Sequence, residues 1–180
     1  MISEEAVAHV AACLGTSTNR ARRLAHTALP AGFARAVTVP RVVLVEGATD
    51  AAVLGALLAV PVVAVGGKHV FPLAVAVARA HGADVDVVLD SDAGDHRAHH
   101  GSRRVQAALA AAPVRLHVLP GDLEVSLAGW ASFLHALHRD GGALDKDPAR
   151  YAAAARAASR ADLPPTLSCL ITEVLDHGSA

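Results

Sequence analysis

The chain has 180 residues and a formal net charge of −1, with 53% hydrophobic, 3% aromatic and 18% charged residues. That length suits one domain able to bury its own core, and the apolar share excludes an intrinsically disordered chain. The near-neutral balance excludes a global basic field, so any contact with nucleic acid has to come from local patches or from a partner.

Alanine and valine dominate the apolar set, which favours short helices packed on a valine-rich sheet. Cys13 and Cys169 form no metal-spaced pair and read as small buried hydrophobes of a cytosolic protein. Met1 leads into the acidic Ser3-Glu4-Glu5 rather than a signal-peptide pattern. No apolar run reaches the ~18 uncharged residues that a bilayer crossing needs. The expectation is a soluble, cytoplasmic protein with no membrane contact.

In chain order, the opening residues to about Leu14 predict a helix with Ser3 as N-cap and Val7, Val10, Ala11 and Leu14 on one face. A second helix follows Thr18 or Asn19 and carries Arg20, Arg22 and Arg23, a cluster that reads as a solvated face. Residues 30–40, with Pro30, Gly32 and Pro40, read as a connector. Val42 to Val45 is an apolar run ending at Glu46-Gly47, before a helical stretch from Thr49 to Leu58. Pro61 to Val65 is a second run, ending in Gly66-Gly67 and followed by a helical Leu73 to Ala80. Val85 to Leu89 is a third, ending in Asp90-Ser91-Asp92. A helix starting near Ser102 precedes the fourth run, Val114 to Leu119. Short apolar strands alternating with helices predict a parallel sheet covered on both faces. Beyond it, Asp122 to about His138, Pro148 to Ser159 and Thr166 to Asp176 read as helices. The last carries a core-facing stripe of Leu167, Leu170, Ile171, Val174 and Leu175.

Ligands of open parallel sheets bind at the carboxyl ends of the strands. The first strand delivers Glu46 there, with Asp50 in the first turn of the next helix; the third delivers Asp90 and Asp92; the fourth is followed by Asp122 and Glu124. Each acid alone could be an N-cap or a solvated loop residue. Together they would repel one another unless protonated or bound to a cation. Their donors are all oxygen, which suits magnesium or manganese better than zinc. Two such ions ~4 Å apart can activate a water and stabilise the leaving oxygen of a phosphodiester.

Val42 to Asp50, reading VVLVEGATD, and Val87 to Asp92, reading VVLDSD, resemble the two signature segments of TOPRIM domains. The closer likeness is to the nuclease domain of the overcoming-lysogenization-defect family. That pattern has Glu46-Gly47, then Gly66-Gly67-Lys68, then Asp90-Ser91-Asp92, with Asp122-Leu123-Glu124 resembling its downstream acid. The resemblance covers residues 34 to 127 and, loosely, the C-terminal helices. It implies a Rossmann-like TOPRIM fold, with a central parallel four-stranded sheet, helices on both faces and extra N- and C-terminal helices. Residues 1–40 would be a helical cap or linker, and residues 41–180 the nuclease domain with its C-terminal helices.

The same resemblance implies metal ligands at Glu46, Asp50, Asp90, Asp92 and Glu124, holding two magnesium or manganese ions, with Glu46 also catalytic. Asp95 sits where such enzymes often carry another acid. A lysine near the scissile phosphate would come from beyond the downstream acid, where Lys146 is the one available, although Asp145-Lys146-Asp147 reads equally as a solvated loop. Lys68, Arg97, Arg103 and Arg104 are candidates for phosphate contact, with Ser102 capping the helix beside them. The loop carrying His96, His99 and His100 reads as well as a polar segment that offsets the acidic crevice. Tyr151 has no nucleophile context, which argues against a topoisomerase.

Family members usually carry an ATPase domain ahead of the nuclease, and Gly66-Gly67-Lys68-His69 lacks phosphate-loop spacing. The expected activity is metal-dependent cutting or nicking of DNA. The alternatives are a ribonuclease acting on structured RNA and a non-catalytic metal-binding subunit of an ATPase–nuclease complex. DNA is the expected partner, with RNA, a separate ATPase subunit and a second copy of the chain as further candidates.

Overall fold

The computed structural model describes residues 3–91, 96–110, 112–139 and 146–176, with the side chains of residues 96–100 left aside. Strands β1 (Arg41–Val45), β2 (Val62–Ala64), β3 (Asp84–Asp90) and β4 (Arg115–Leu119) form one sheet in the order β2-β1-β3-β4. All three pairings are parallel, with Val43 opposite Val62, Leu44 opposite Val87 and Asp90 opposite Leu119. The chain therefore leaves β1 towards one edge and returns to place β3 on its other side. The carboxyl ends of β1 and β3 adjoin at this switch point, where open α/β sheets form their ligand crevice. The expected α/β fold with a central parallel sheet is the fold observed.

Period-two alternation sends successive strand residues to opposite faces. Val42, Leu44, Val85, Val87 and Leu89 face one core, and Val43, Val45, Val88 and Leu119 the other. On the first face lie α1 (Glu4–Cys13), α2 (Thr18–Thr27), α5 (Phe71–Ala80) and α6 (His96–Leu109), so the N-terminal helices share a core with the sheet. On the second lie α4 (Ala48–Leu57), α7 (Leu123–Ala128), α8 (Ala131–His138), α9 (Pro148–Ala157) and α10 (Pro165–Asp176). Ser3 caps α1 as expected, its Oγ accepting from the Ala6 N–H at 3.1 Å. Among the described residues no helix is long and apolar enough to cross a membrane.

Several expectations need correction. The connector at 30–40 contains a one-turn helix, α3 (Phe33–Ala36), because Phe33 and Val37 are buried anchors. The helix expected over 122–138 is two, broken at Gly129-Trp130. Trp130 is fully buried, stacks on Phe133 with centroids 5.4 Å apart, and donates its indole N–H to Ser159 O at 2.9 Å. A straight helix could not make that turn inward. Helix α6 begins at His96, so Ser102 lies in its interior and does not cap it. Both cysteines are exposed rather than buried. Of the last helix's stripe, Leu175 stays exposed while Leu167, Leu170, Ile171 and Val174 are buried.

One charge cluster escaped the reading of the third run as apolar. Asp86 points from β3 with a fully buried side chain. Its carboxylate accepts from Arg41 Nε at 2.9 Å, Arg115 Nε at 2.9 Å and His117 Nε2 at 3.0 Å. His117 in turn meets Glu173 of α10 at 3.1 Å, and Arg41 donates to the Val174 carbonyl near that helix's C-terminus. Burial alone would raise the Asp86 carboxyl, but hydrogen bonds from His117, Arg115 and Arg41 outweigh it and hold it well below the usual carboxylate range. The hydrogen bond to Asp86 raises the His117 imidazole against the opposing effect of burial, and Glu173 adds to the rise.

Removing one member of a buried ionic network strands the others, so Asp86→Ala should cost about 3–5 kcal/mol. A urea melt followed by the fluorescence of Trp130, the only tryptophan, measures it; a loss under about 1 kcal/mol would show the network to be dispensable. The raised imidazole gives a second expectation with a definite sign. Its contribution is fully present below the unfolded value of about 6.5 and is lost as pH rises through the higher folded value. The stability gap between wild type and His117→Ala should therefore be largest near pH ~6 and shrink towards pH ~9, as compared by melts across that range.

Candidate active site

The crevice at the switch point is built from strand ends and helix starts. Glu46 follows β1 directly, and Gly47 begins α4 as its N-cap. Asp50, three residues into that turn, folds back so that its Oδ2 accepts from the Gly47 N–H at 2.7 Å. A Cβ at position 47 would lie 3.1 Å from that oxygen, so a larger residue there would need the carboxylate to shift by a few tenths of an ångström. Asp90 ends β3 beside β1. The next residue, Ser91, donates its backbone N–H to Leu119 O at 3.1 Å and Gly121 O at 3.0 Å, and its Oγ accepts from the Gly121 N–H at 2.7 Å. That pins the loop after β4. Asp122 then caps α7 by accepting from the Val125 N–H at 2.8 Å, which sets Glu124 in the first turn.

These groups line one cavity of about 310 Å³, bordered by Glu46, Gly47, Thr49, Asp50, Asp90, Asp122, Glu124 and Lys146. Beneath Glu46, Asp50 and Asp90 lies an apolar floor of Val45, Leu54, Val88, Leu119 and Leu123. Among the described residues, two lysines meet these acids. Lys146 Nζ donates to Glu124 Oε1, and Lys68 Nζ lies 3.8 Å from Glu46 Oε2. These are the only lysines in the chain, and each rests on an acid of the crevice. Burial raises the Asp50 carboxyl above its ordinary value despite the Gly47 hydrogen bond, and the charges of Glu124 and Glu46 push it further. The hydrogen bond and charge of Glu124 raise the Lys146 ammonium, which keeps it a cation.

Glu46, Asp50, Asp90 and Glu124 thus come together as the strand ends implied, and Lys146, expected from the resemblance, lines the same cavity. Lys68 reaches the same place from the turn after β2, on Glu46. Arg103 and Arg104 are exposed on α6, and neither lines the cavity. Asp92 and Asp95 lie outside the described residues, as do the side chains of His96, Arg97, His99 and His100. Two hydroxyls went unread, Thr49 on the cavity wall with its Oγ1 3.5 Å from Lys146 O and Ser91, and Ser102, expected as a helix cap, is instead buried 3.3 Å from Lys68 Nζ. Nothing in their spacing marks them, since each acts across chain segments distant in sequence.

The oxygen donors that could face a hard cation are Glu46, Asp50, Asp90, Asp122 and Glu124. Their chemistry fits magnesium or manganese. As they stand, however, no group of three or more His, Cys, Asp or Glu among the described residues is disposed to hold a metal ion. Glu46 and Glu124 are turned to lysines, and Asp50 to its own helix start. Compared with models of protein families, with curated proteins and with solved structures, the chain finds no match.

A raised carboxyl makes the folded protein hold that proton more tightly than the unfolded chain, so Asp50 costs stability once pH exceeds its unfolded value of about 3.9. Asp50→Asn keeps an acceptor for the Gly47 N–H and removes the charge. Without added metal, the variant should unfold at a higher urea concentration than wild type at pH ~7, with the gap closing below pH ~4. A variant weaker than wild type at every pH would show that the hydrogen bond outweighs the burial of charge.

Proposed function

We propose that the protein is a metal-dependent endonuclease of TOPRIM type that cuts or nicks DNA phosphodiesters. The observation that supports this most is the gathering of acids from three strand ends and of Lys146 around one open cavity at the switch point of the sheet, with Lys68 set against Glu46. A crevice that raises a carboxyl and uses its only ammonium groups as counter-charges is one in which a divalent cation would relieve repulsion. The resemblance of VVLVEGATD and VVLDSD to the TOPRIM signature segments supplies the reaction class.

In this reading Glu46, Asp50, Asp90, Asp92 and Glu124 hold two magnesium or manganese ions. Such ions supply Lewis acidity and lower the pKa of bound water towards neutrality. The rest is done by the chain. Asp50 is held in place by the Gly47 N–H, and Ser91 fixes the loop that carries the downstream acids. Lys146 lines the cavity and Lys68 lies against Glu46, where an ammonium released from its carboxylate would neutralise charge on a phosphate. Arg103 and Arg104 on α6 offer exposed cations to the backbone of a bound strand, and Arg97 belongs to the same helix.

Purified protein incubated with supercoiled plasmid should nick it in magnesium or manganese and not in EDTA. Asp90→Ala should lower the rate by at least ~100-fold while keeping the wild-type melt. Magnesium or manganese at ~100 times its Kd should stabilise the wild type by about 2.7 kcal/mol and leave Asp90→Ala unmoved. Absence of nicking in either metal would overturn the DNA reading. Cleavage of matched structured RNA in the same tubes would transfer it to a ribonuclease.

A further inference from the structure

We propose that Ser102 is a positioning residue: its buried hydroxyl holds the Lys68 ammonium over Glu46, at the place where a phosphate of the substrate enters the crevice. The inference rests on the crevice being a hydrolytic site. It gives Ser102 a role that neither spacing nor resemblance assigns.

Ser102 sits inside α6, fully buried, where serine is a poorer helix former than alanine. An alanine would fit the same space, so packing does not explain the hydroxyl. Its Oγ lies 3.3 Å from Lys68 Nζ, within reach of a charge-assisted hydrogen bond. The route of Lys68 to this point is built by the backbone. Gly66 and Gly67 take φ of +87° and +138°, conformations closed to most L-residues, and launch the chain into the 3₁₀ turn Lys68–Val70. The lysine stem then passes α6 at Gly101, where a Cβ would lie 3.7 Å from Lys68 Cδ. The ammonium ends between Ser102 and Glu46, and the side chain is 18% exposed against 32% for Glu46. A flexible four-carbon chain gains little as a point charge unless its head is fixed. One hydroxyl from α6 and one carboxylate just after β1 contribute to that fixing.

The geometry sets roles that can be separated. Glu46 is the acid of the crevice, Lys68 the cation that meets phosphate, and Ser102 touches neither substrate nor metal and acts through Lys68. Losing the hydroxyl leaves the charge present and its position loose. Substrate turnover then suffers through Lys68 alone.

The test is a double-mutant cycle with a readout that does not need activity. Ser102→Ala should fold like the wild type, as followed by Trp130 fluorescence, and lower kcat for plasmid nicking about tenfold. In a Lys68→Ala background the same substitution should change kcat by less than ~2-fold. Equal losses in the two backgrounds would mean a structural role and overturn the proposal. Because the chain holds only Lys68 and Lys146, selective ¹³Cε-lysine labelling gives two side-chain signals in metal-free protein. Ser102→Ala should shift the Lys68 signal towards that of a free lysine and leave Lys146 in place. A Lys68 signal that does not move overturns the proposal whether or not the protein cleaves DNA. A moved signal in a protein whose wild type cleaves neither DNA nor RNA overturns the hydrolytic reading, and the positioning role with it, while leaving the contact itself established.

Discussion

The parallel ladder between β1 and β3, running from Arg41 opposite Asp84 to Leu44 opposite Val87, is the constraint on which the other contacts depend. Parallel neighbours put their carboxyl ends on the same side, and here β2 and β4 occupy the outer positions. The chain passes from β1 to α4 on one face and from β3 to α6 on the other, and the crevice lies at the switch point of that divergence. Glu46 and Asp90 are brought together by that divergence. So are α4 and the loop after β4, which deliver Asp50 and Glu124. A different strand order would scatter the same acids along a sheet edge.

Two charge clusters sit on one face of this sheet and behave in opposite ways. Asp86 and Asp90 lie four residues apart on β3, so the pleat turns both towards the side covered by α4, α9 and α10. Asp86 is sealed under α10 and satisfied by two guanidinium groups and an imidazole, which hold its carboxyl ionised. This network ties β1, β3, β4 and the last helix into one body. At the other end of the strand the described cations are Lys68 against Glu46 and Lys146 against Glu124, and Asp50 is pushed towards its neutral form. The first cluster is closed and structural. The second is open to a cavity and under electrostatic tension, the condition in which ligands and metals are taken up.

The use of lysine sharpens that contrast. Arginine serves the sealed cluster, where a rigid planar fork can bond Asp86 twice, as Arg115 does through Nε and Nη2. Lysine is confined to the crevice, where Lys68 and Lys146 rest on Glu46 and Glu124. An ammonium gives up a carboxylate more readily than a bidentate guanidinium does, so the crevice carries its counter-charge in an exchangeable form.

Much of this was legible in the chain itself. Short valine runs separated by helical stretches determined a parallel sheet with two covered faces, because a strand buried on both sides has no polar residues to alternate. Strand ends determined where Glu46, Asp50, Asp90 and Glu124 would lie, since a helix start or a turn must follow each run. Local pattern could not supply partners distant in sequence. Asp86 sat unremarked inside an apolar run, because only β1, β4 and α10 together make its burial affordable. The break at Trp130 depends on Ser159, Lys68 reaches Glu46 by way of Ser102, and Ser91 acts through Gly121. The sequence alone determined the elements and the residues at their ends, because both follow from neighbours within a few positions. Strand order, the sealing of one acid cluster and the opening of the other were decided only by the tertiary structure, because they arise from long-range pairing and burial that no local spacing encodes.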